Sequence, residues 1–130
     1  MSSIIAQRYA RALINQASRS DTLEAVRAGL DDFADAVAGS DKLQAVFLSA
    51  RVPQTDKEGV VAEVLAQLKS HQQVNNFVRF VANKRRLLYI EDIRQAFHRL
   101  ADERVGRAVA QVTVASDIDS ELQDELRKRL

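Results

Sequence analysis

A chain of 130 residues with 46% hydrophobic content is one ordinary domain, or one domain plus a short second element, with enough apolar residues for a core. Its 19 basic and 18 acidic residues leave a formal charge of +1, so no global field steers it toward nucleic acid; its lack of cysteine excludes disulfide scaffolds, thiolate zinc sites and cysteine nucleophiles. No apolar run approaches the roughly 18 residues of a membrane span, and Met1-Ser2-Ser3-Ile4-Ile5 is not the basic-then-apolar opening of a secretory signal.

One proline and four glycines are sparse punctuation, so helices are the default. The first helix holds Ile5, Tyr9, Ala12 and Leu13 at i, i+4, i+7 and i+8, one face, with Ala6, Ala10 and Ala17 around that stripe. Asp21 with Glu24 predicts a capping box before a second helix whose stripe is Leu23, Val26, Leu30, Phe33, Ala34 and Val37, ending near Gly39. Asp41 with Gln44 opens a shorter third helix with Leu43, Val46 and Phe47 inward, closed by Val52-Pro53. Thr55 with Glu58 opens a fourth through Val60, Val61, Val64, Leu65 and Leu68. Ser70 with Gln73 opens a fifth carrying Val74, Phe77, Val78 and Val81, and a sixth carries Ile90, Ile93, Phe97 and Leu100. Short connections favour antiparallel neighbours in a bundle.

Composition changes at Val105-Gly106. Arg107 to Ala115 alternates, with Ala108, Ala110, Val112 and Val114 on one face, and predicts a strand. Ser116 to Ser120 reads as a turn, and Leu122, Leu126 and Leu130 mark a final helix. The expected fold class is therefore mainly α: a six-helix bundle over residues 1–104, then an incomplete small α/β unit of one strand and one helix over 105–130.

Reactive chemistry has no visible seat. The glycines at 29, 39, 59 and 106 never cluster into a phosphate loop, and His71 and His98 lack a second ligand at helical or hairpin spacing. His71, beside the expected cap Ser70, reads as a surface or cap residue. Asp31-Asp32 and Glu91-Asp92 are adjacent acids that diverge on a helix, and Glu91-Asp92 favours the positive end of its helix dipole. No catalytic residue, metal ligand or cofactor is expected. Lys84-Arg85-Arg86 is the sharpest charge cluster; a small helical nucleic-acid-binding module built on it is the alternative reading, although cations ending the fifth helix also complement its dipole.

Two helices carry more apolar surface than one core stripe needs. Ile4, Ile5, Tyr9, Ala12 and Leu13 broaden the first, and Phe80 extends Val74, Phe77, Val78 and Val81 sideways on the fifth. Side by side they would leave an apolar groove suited to an amphipathic helix of a partner.

The segment Ala6-Gln7-Arg8-Tyr9-Ala10-Arg11-Ala12-Leu13 resembles the opening of the delta subunit of bacterial F-type rotary ATP synthases, a family related to the mitochondrial oligomycin-sensitivity-conferring protein. Asn76 to Leu87, followed by Ile90, Ile93 and Phe97, is similar to that family's apolar helix, Asn-x-x-Arg-Leu turn and following helix, and Leu48, Val52-Pro53 and Lys57 fit its third-helix exit. The resemblance covers essentially the whole chain. It implies a non-catalytic stator subunit linking the catalytic alpha/beta hexamer to the peripheral stalk, so that the hexamer does not turn with the rotor. Implied partners are the N-terminal helix of an alpha subunit, seated between the first and fifth helices, and the b subunits of the stalk, met by the C-terminal part. Implied groove residues are Ile5, Tyr9, Ala12 and Leu13 with Phe77, Phe80 and Val81. The resemblance also implies a chain shortened at its C-terminus, no direct nucleic-acid partner, and a place at the cytoplasmic face of the bacterial cell membrane through the complex alone.

Overall fold

A computed structural model describes residues 3–129, with side chains described for residues 3–107, 110 and 122. Among these there are six α-helices, one short 3-10 turn and no strand. The helices are α1 (Ile4–Arg19), α2 (Leu23–Ala38), α3 (Asp41–Leu48), α4 (Gln54–Leu68), α5 (Gln72–Asn83) and α6 (Ile90–Arg129); the 3-10 turn is Leu87–Tyr89. The chain divides into two compact units, residues 1–98 and 99–130.

In the first unit α2 is the hub, neighbouring α1, α3, α4 and α5, while α4 also lies against α5. Its buried stripe Val26, Leu30, Phe33 and Ala34 belongs to the buried apolar set that also holds Leu13 and Ile14 of α1, Val61 and Leu65 of α4, Val74, Val78 and Val81 of α5, and Ile93 and Phe97 of α6. Gly29 lies on the same buried side of α2. A Cβ there would sit 2.7 Å from Cγ2 of Val74, so only glycine allows α5 this close to α2.

Several helix starts differ from expectation by one or two residues. Asp21 is not a cap: it takes a left-handed φ of 56° in the α1–α2 turn, and Thr22 stands at the N-cap position. The turn is tight, with Thr22 N–H donating to the Ala17 carbonyl at 2.9 Å, and aspartate tolerates the left-handed position. Ser40, not Asp41, caps α3 by accepting from Leu43 N–H at 3.2 Å. Gln44 is thereby freed to reach the last carbonyls of α2, donating to Val37 at 3.1 Å and Ala38 at 3.0 Å. Helix α4 starts at Gln54 directly behind Pro53, so Thr55 lies inside it. His71, not Ser70, caps α5, its Nδ1 accepting from Gln73 N–H at 3.1 Å.

The strand expected over Arg107 to Ala115 and the turn over Ser116 to Ser120 are both helix, part of α6. The reason is backbone satisfaction. The described residues offer no second strand to pair with, whereas a helix closes its own N–H and C=O groups within one segment. Leu130 of the expected final stripe lies outside the described residues, as does the side chain of Leu126.

The Gly29 contact generates a stability prediction. Gly29→Ala lowers the unfolding free energy by about 1–3 kcal/mol in urea titration, since the β-branched Val74 has little freedom to yield. Adding Val74→Ala to that background recovers part of the loss, giving a non-additive pair.

Candidate partner-binding groove

Helices α1 and α5 face each other along a seam with opposite chain directions. At one end, Gln73 at the start of α5 donates to Ser20 Oγ, just past α1, at 2.9 Å and meets Thr22 Oγ1 as well. At the other, Arg86 just past α5 donates from Nη1 to Tyr9 Oη near the start of α1, at 2.9 Å. Between them the walls touch through rings: Tyr9 lies 6.3 Å from Phe77, edge-on, and 6.0 Å from Phe80. Lys84 Nζ sits 5.6 Å from the Phe80 centroid and Arg86 Cζ 5.6 Å from that of Tyr9.

Exposure sorts the seven expected groove residues into three sets. Leu13 and Val81 are core, 1% and 0% exposed, and cannot meet a partner without unfolding. Phe77, at 9%, is the floor under the aromatic cluster. Ile5 and Tyr9 are half-buried, Ala12 is exposed, and Phe80 is 50% exposed. The structure thus brings Tyr9, Phe77 and Phe80 together, with Ile5 and Ala12 on the Tyr9 flank of α1.

The core face of α1 is built from Ala6, Ala10, Leu13, Ile14 and Ala17, rotated from the stripe of larger residues that the sequence suggested. Small side chains let α1 lie close to its neighbour. The bulky Ile5 and Tyr9 are thereby displaced toward the seam.

Lys84-Arg85-Arg86 is one cluster in sequence, and the fold splits it. Lys84 and Arg86 lie over the seam aromatics, whereas Arg85, with a left-handed φ of 60°, lines a separate depression with Phe47, Leu48, Lys57, Leu87 and Leu88. A shared basic face for a nucleic-acid backbone is therefore missing at this cluster. Leu48 and Leu88 line that depression and are 64% and 65% exposed; the sequence pattern gives no sign of the exposure of either, because each falls within an ordinary apolar run.

Of the other polar groups singled out from the sequence, His98, Asp31 and Glu91 are occupied structurally. His98 places Nε2 2.6 Å from Asp31 Oδ1 and Nδ1 3.3 Å from Arg27 Nη1, linking α6 to α2. Glu91 accepts from Arg94 Nη2 at 2.6 Å, and Arg94 also reaches Asp35; hydrogen bonding to Glu91 is the largest of the effects that raise the Arg94 pKa. Among the described residues no cluster of three or more His, Cys, Asp or Glu could hold a metal ion.

Over residues 5–130 the chain matches the family described as ATP synthase delta (OSCP) subunit. It is 32% identical over 127 residues to ATP synthase subunit delta of Syntrophobacter fumaroxidans, covering 98% of this chain and 69% of that protein. It is 35% identical over 124 residues to the protein of the same name from Desulforamulus reducens, covering 95% and 68%. With that of Brevibacillus brevis it shares 32% over 129 residues, covering 99% and 73%.

The division between core and groove is testable without any partner. Leu13→Ala costs about 2–5 kcal/mol of unfolding free energy, whereas Phe80→Ala costs less than about 1 kcal/mol, since its ring is half in water and its ring and cation contacts are peripheral. Denaturant titration of the two variants separates the classes.

Proposed function

Because the chain belongs to the ATP synthase delta (OSCP) subunit family, we propose that its α1/α5 groove seats the amphipathic N-terminal helix of an alpha subunit. The chain is a non-catalytic structural subunit, a stator component of the peripheral stalk. The single observation that carries the groove assignment is the half-exposed Tyr9–Phe80 ring pair spanning the seam, with buried Phe77 beneath it.

A stator joint resists torque, which demands slow dissociation more than chemistry. Slow dissociation follows from a buried aromatic anchor on a rigid scaffold. Tyr9 and Phe80 offer ring area that costs little side-chain entropy when covered, and Ala12 lets a helix backbone approach closely. Of the seven residues implied by the family, Ile5, Tyr9, Ala12 and Phe80 meet the partner, Phe77 supports them, and Leu13 and Val81 hold the two helices in place.

Residues 1–104 form the alpha-binding part on this reading. Residues 105–130 begin the part that meets the b subunits of the stalk. Among the described residues no helix is long and apolar enough to cross a membrane. Attachment through the complex, at the cytoplasmic face of the cell membrane, is the corresponding location. The nucleic-acid alternative has no support: the family match points elsewhere and Lys84, Arg85 and Arg86 do not share a face.

Calorimetric titration with a peptide copying the N-terminal helix of the cognate alpha subunit tests the assignment. The chain binds that peptide, and Ala12→Asp or Phe80→Asp weakens binding by at least about tenfold while helicity by circular dichroism stays at the unsubstituted level. No binding at micromolar peptide, or binding indifferent to both substitutions, overturns it.

A further inference from the structure

We propose that the Lys84/Arg86 end of the α1/α5 groove recognises a carboxylate side chain of the bound helix and thereby fixes its register. This rests on the reading that the groove seats a partner helix, and it names a chemical feature that the occupant must carry.

The observation behind it is that the two cations and the two apolar anchors occupy the same place. Lys84 Nζ lies over Phe80 and the Arg86 guanidinium over Tyr9, each 5.6 Å from the ring centroid. Arg86 is half-buried and its orientation is fixed by the hydrogen bond from Nη1 to Tyr9 Oη at 2.9 Å, which leaves most of its five N–H donors unused by that contact. Among the described residues neither cation is paired with a carboxylate. Glu58 of α4, the acid beside the outer flank of Phe80, accepts from the Asn83 amide at 3.1 Å.

A helix that covers Tyr9 and Phe80 to gain their apolar area must also cover Lys84 and Arg86. Covering strips water from both cations, and a charge that loses water without gaining a partner is costly. A carboxylate at that end of the occupant offsets the loss. An apolar or basic residue there leaves the cations uncompensated, so helices of equal apolarity are discriminated, and a one-turn slip of the correct helix carries its acid out of reach. Lys84, at the C-cap of α5, also complements that helix's dipole, which sets its charge before any partner arrives.

The test uses the alpha-derived peptide, a series in which each Asp or Glu is changed singly to its amide, and the variants Lys84→Gln and Arg86→Gln. Lys84 is exposed, so its variant folds normally; the Arg86 variant also loses a tyrosine contact and is read only alongside it. Lys84→Gln weakens the parent peptide about threefold to fivefold and Arg86→Gln roughly tenfold, both losses shrinking at high salt. One amide peptide shows a comparable loss on the unsubstituted chain and no additional loss on the variants. Variants that bind as the unsubstituted chain does, losses identical across the peptide series, or equal affinity for a helix with no carboxylate overturn the proposal. If charge has no effect but Phe80→Asp still abolishes binding, only this inference fails. If the unsubstituted chain does not bind the parent peptide, the groove assignment fails with it.

Discussion

The close approach of α5 to α2 at Gly29 and Val74 is the contact on which the rest of the first unit depends. A missing Cβ on α2 lets a β-branched side chain of α5 press directly onto the helix surface, and this fixes how α5 is rotated. With Val74, Val78 and Val81 turned inward, helical spacing places Phe77 at the edge of the core and Phe80 a step beyond it, half in water. The apolar surface on the outside of α5 is thus a geometric result of packing on its inside. It is the side of α5 from which Tyr9 of α1 is reached.

Helix α1 completes the seam by a complementary device. Alanines at 6, 10 and 17 fill its buried face, so the helix lies low on the bundle, and its larger residues Ile5 and Tyr9 fall on the flank toward α5. The walls are tied at both ends by polar contacts, Gln73 with Ser20 and Thr22 at one and Arg86 with Tyr9 at the other. A seam tied at both ends, with a buried phenylalanine under its exposed rings, needs little reordering if a partner covers it. Less ordering cost on binding means that more of the contact energy appears as affinity, which suits a joint that must persist.

The sequence pattern located the helices and most of the core. Valine and leucine stripes at helical spacing on α2, α4 and α5 leave one arrangement in which they all face inward. It did not locate the caps, because Ser40 and Asp41, or Ser70 and His71, are neighbouring residues able to accept the same N–H; the choice is made by where the preceding turn delivers the chain. For the proposed groove it singled out a pair of helices but could not divide their residues by depth. Leu13 and Phe80 are both apolar, and only the rotation set by Gly29 and the alanines makes one core and the other surface. The alternation at Arg107 to Ala115 misled for a related reason. A period of two specifies a strand only when partner strands accept its backbone groups, and its alanines are equally content in a helix.

Mechanical duty explains why the polar chemistry of the first unit takes the form it does. His98 with Asp31 and Arg27, Arg94 with Asp35, and Gln54 with the Ala82 carbonyl at 2.6 Å each join residues far apart in sequence, and each ties two elements that could otherwise slide. In an enzyme such groups would converge on a cavity and retain unused valence for a substrate. Here they are spread along helix borders and occupied with one another. Apolar packing resists separation of helices but is weakly directional, whereas a hydrogen bond across a helix border resists shear, because sliding by one residue breaks it. A bundle that transmits load between partners needs both kinds of resistance, and the placement of these pairs around the apolar core supplies both.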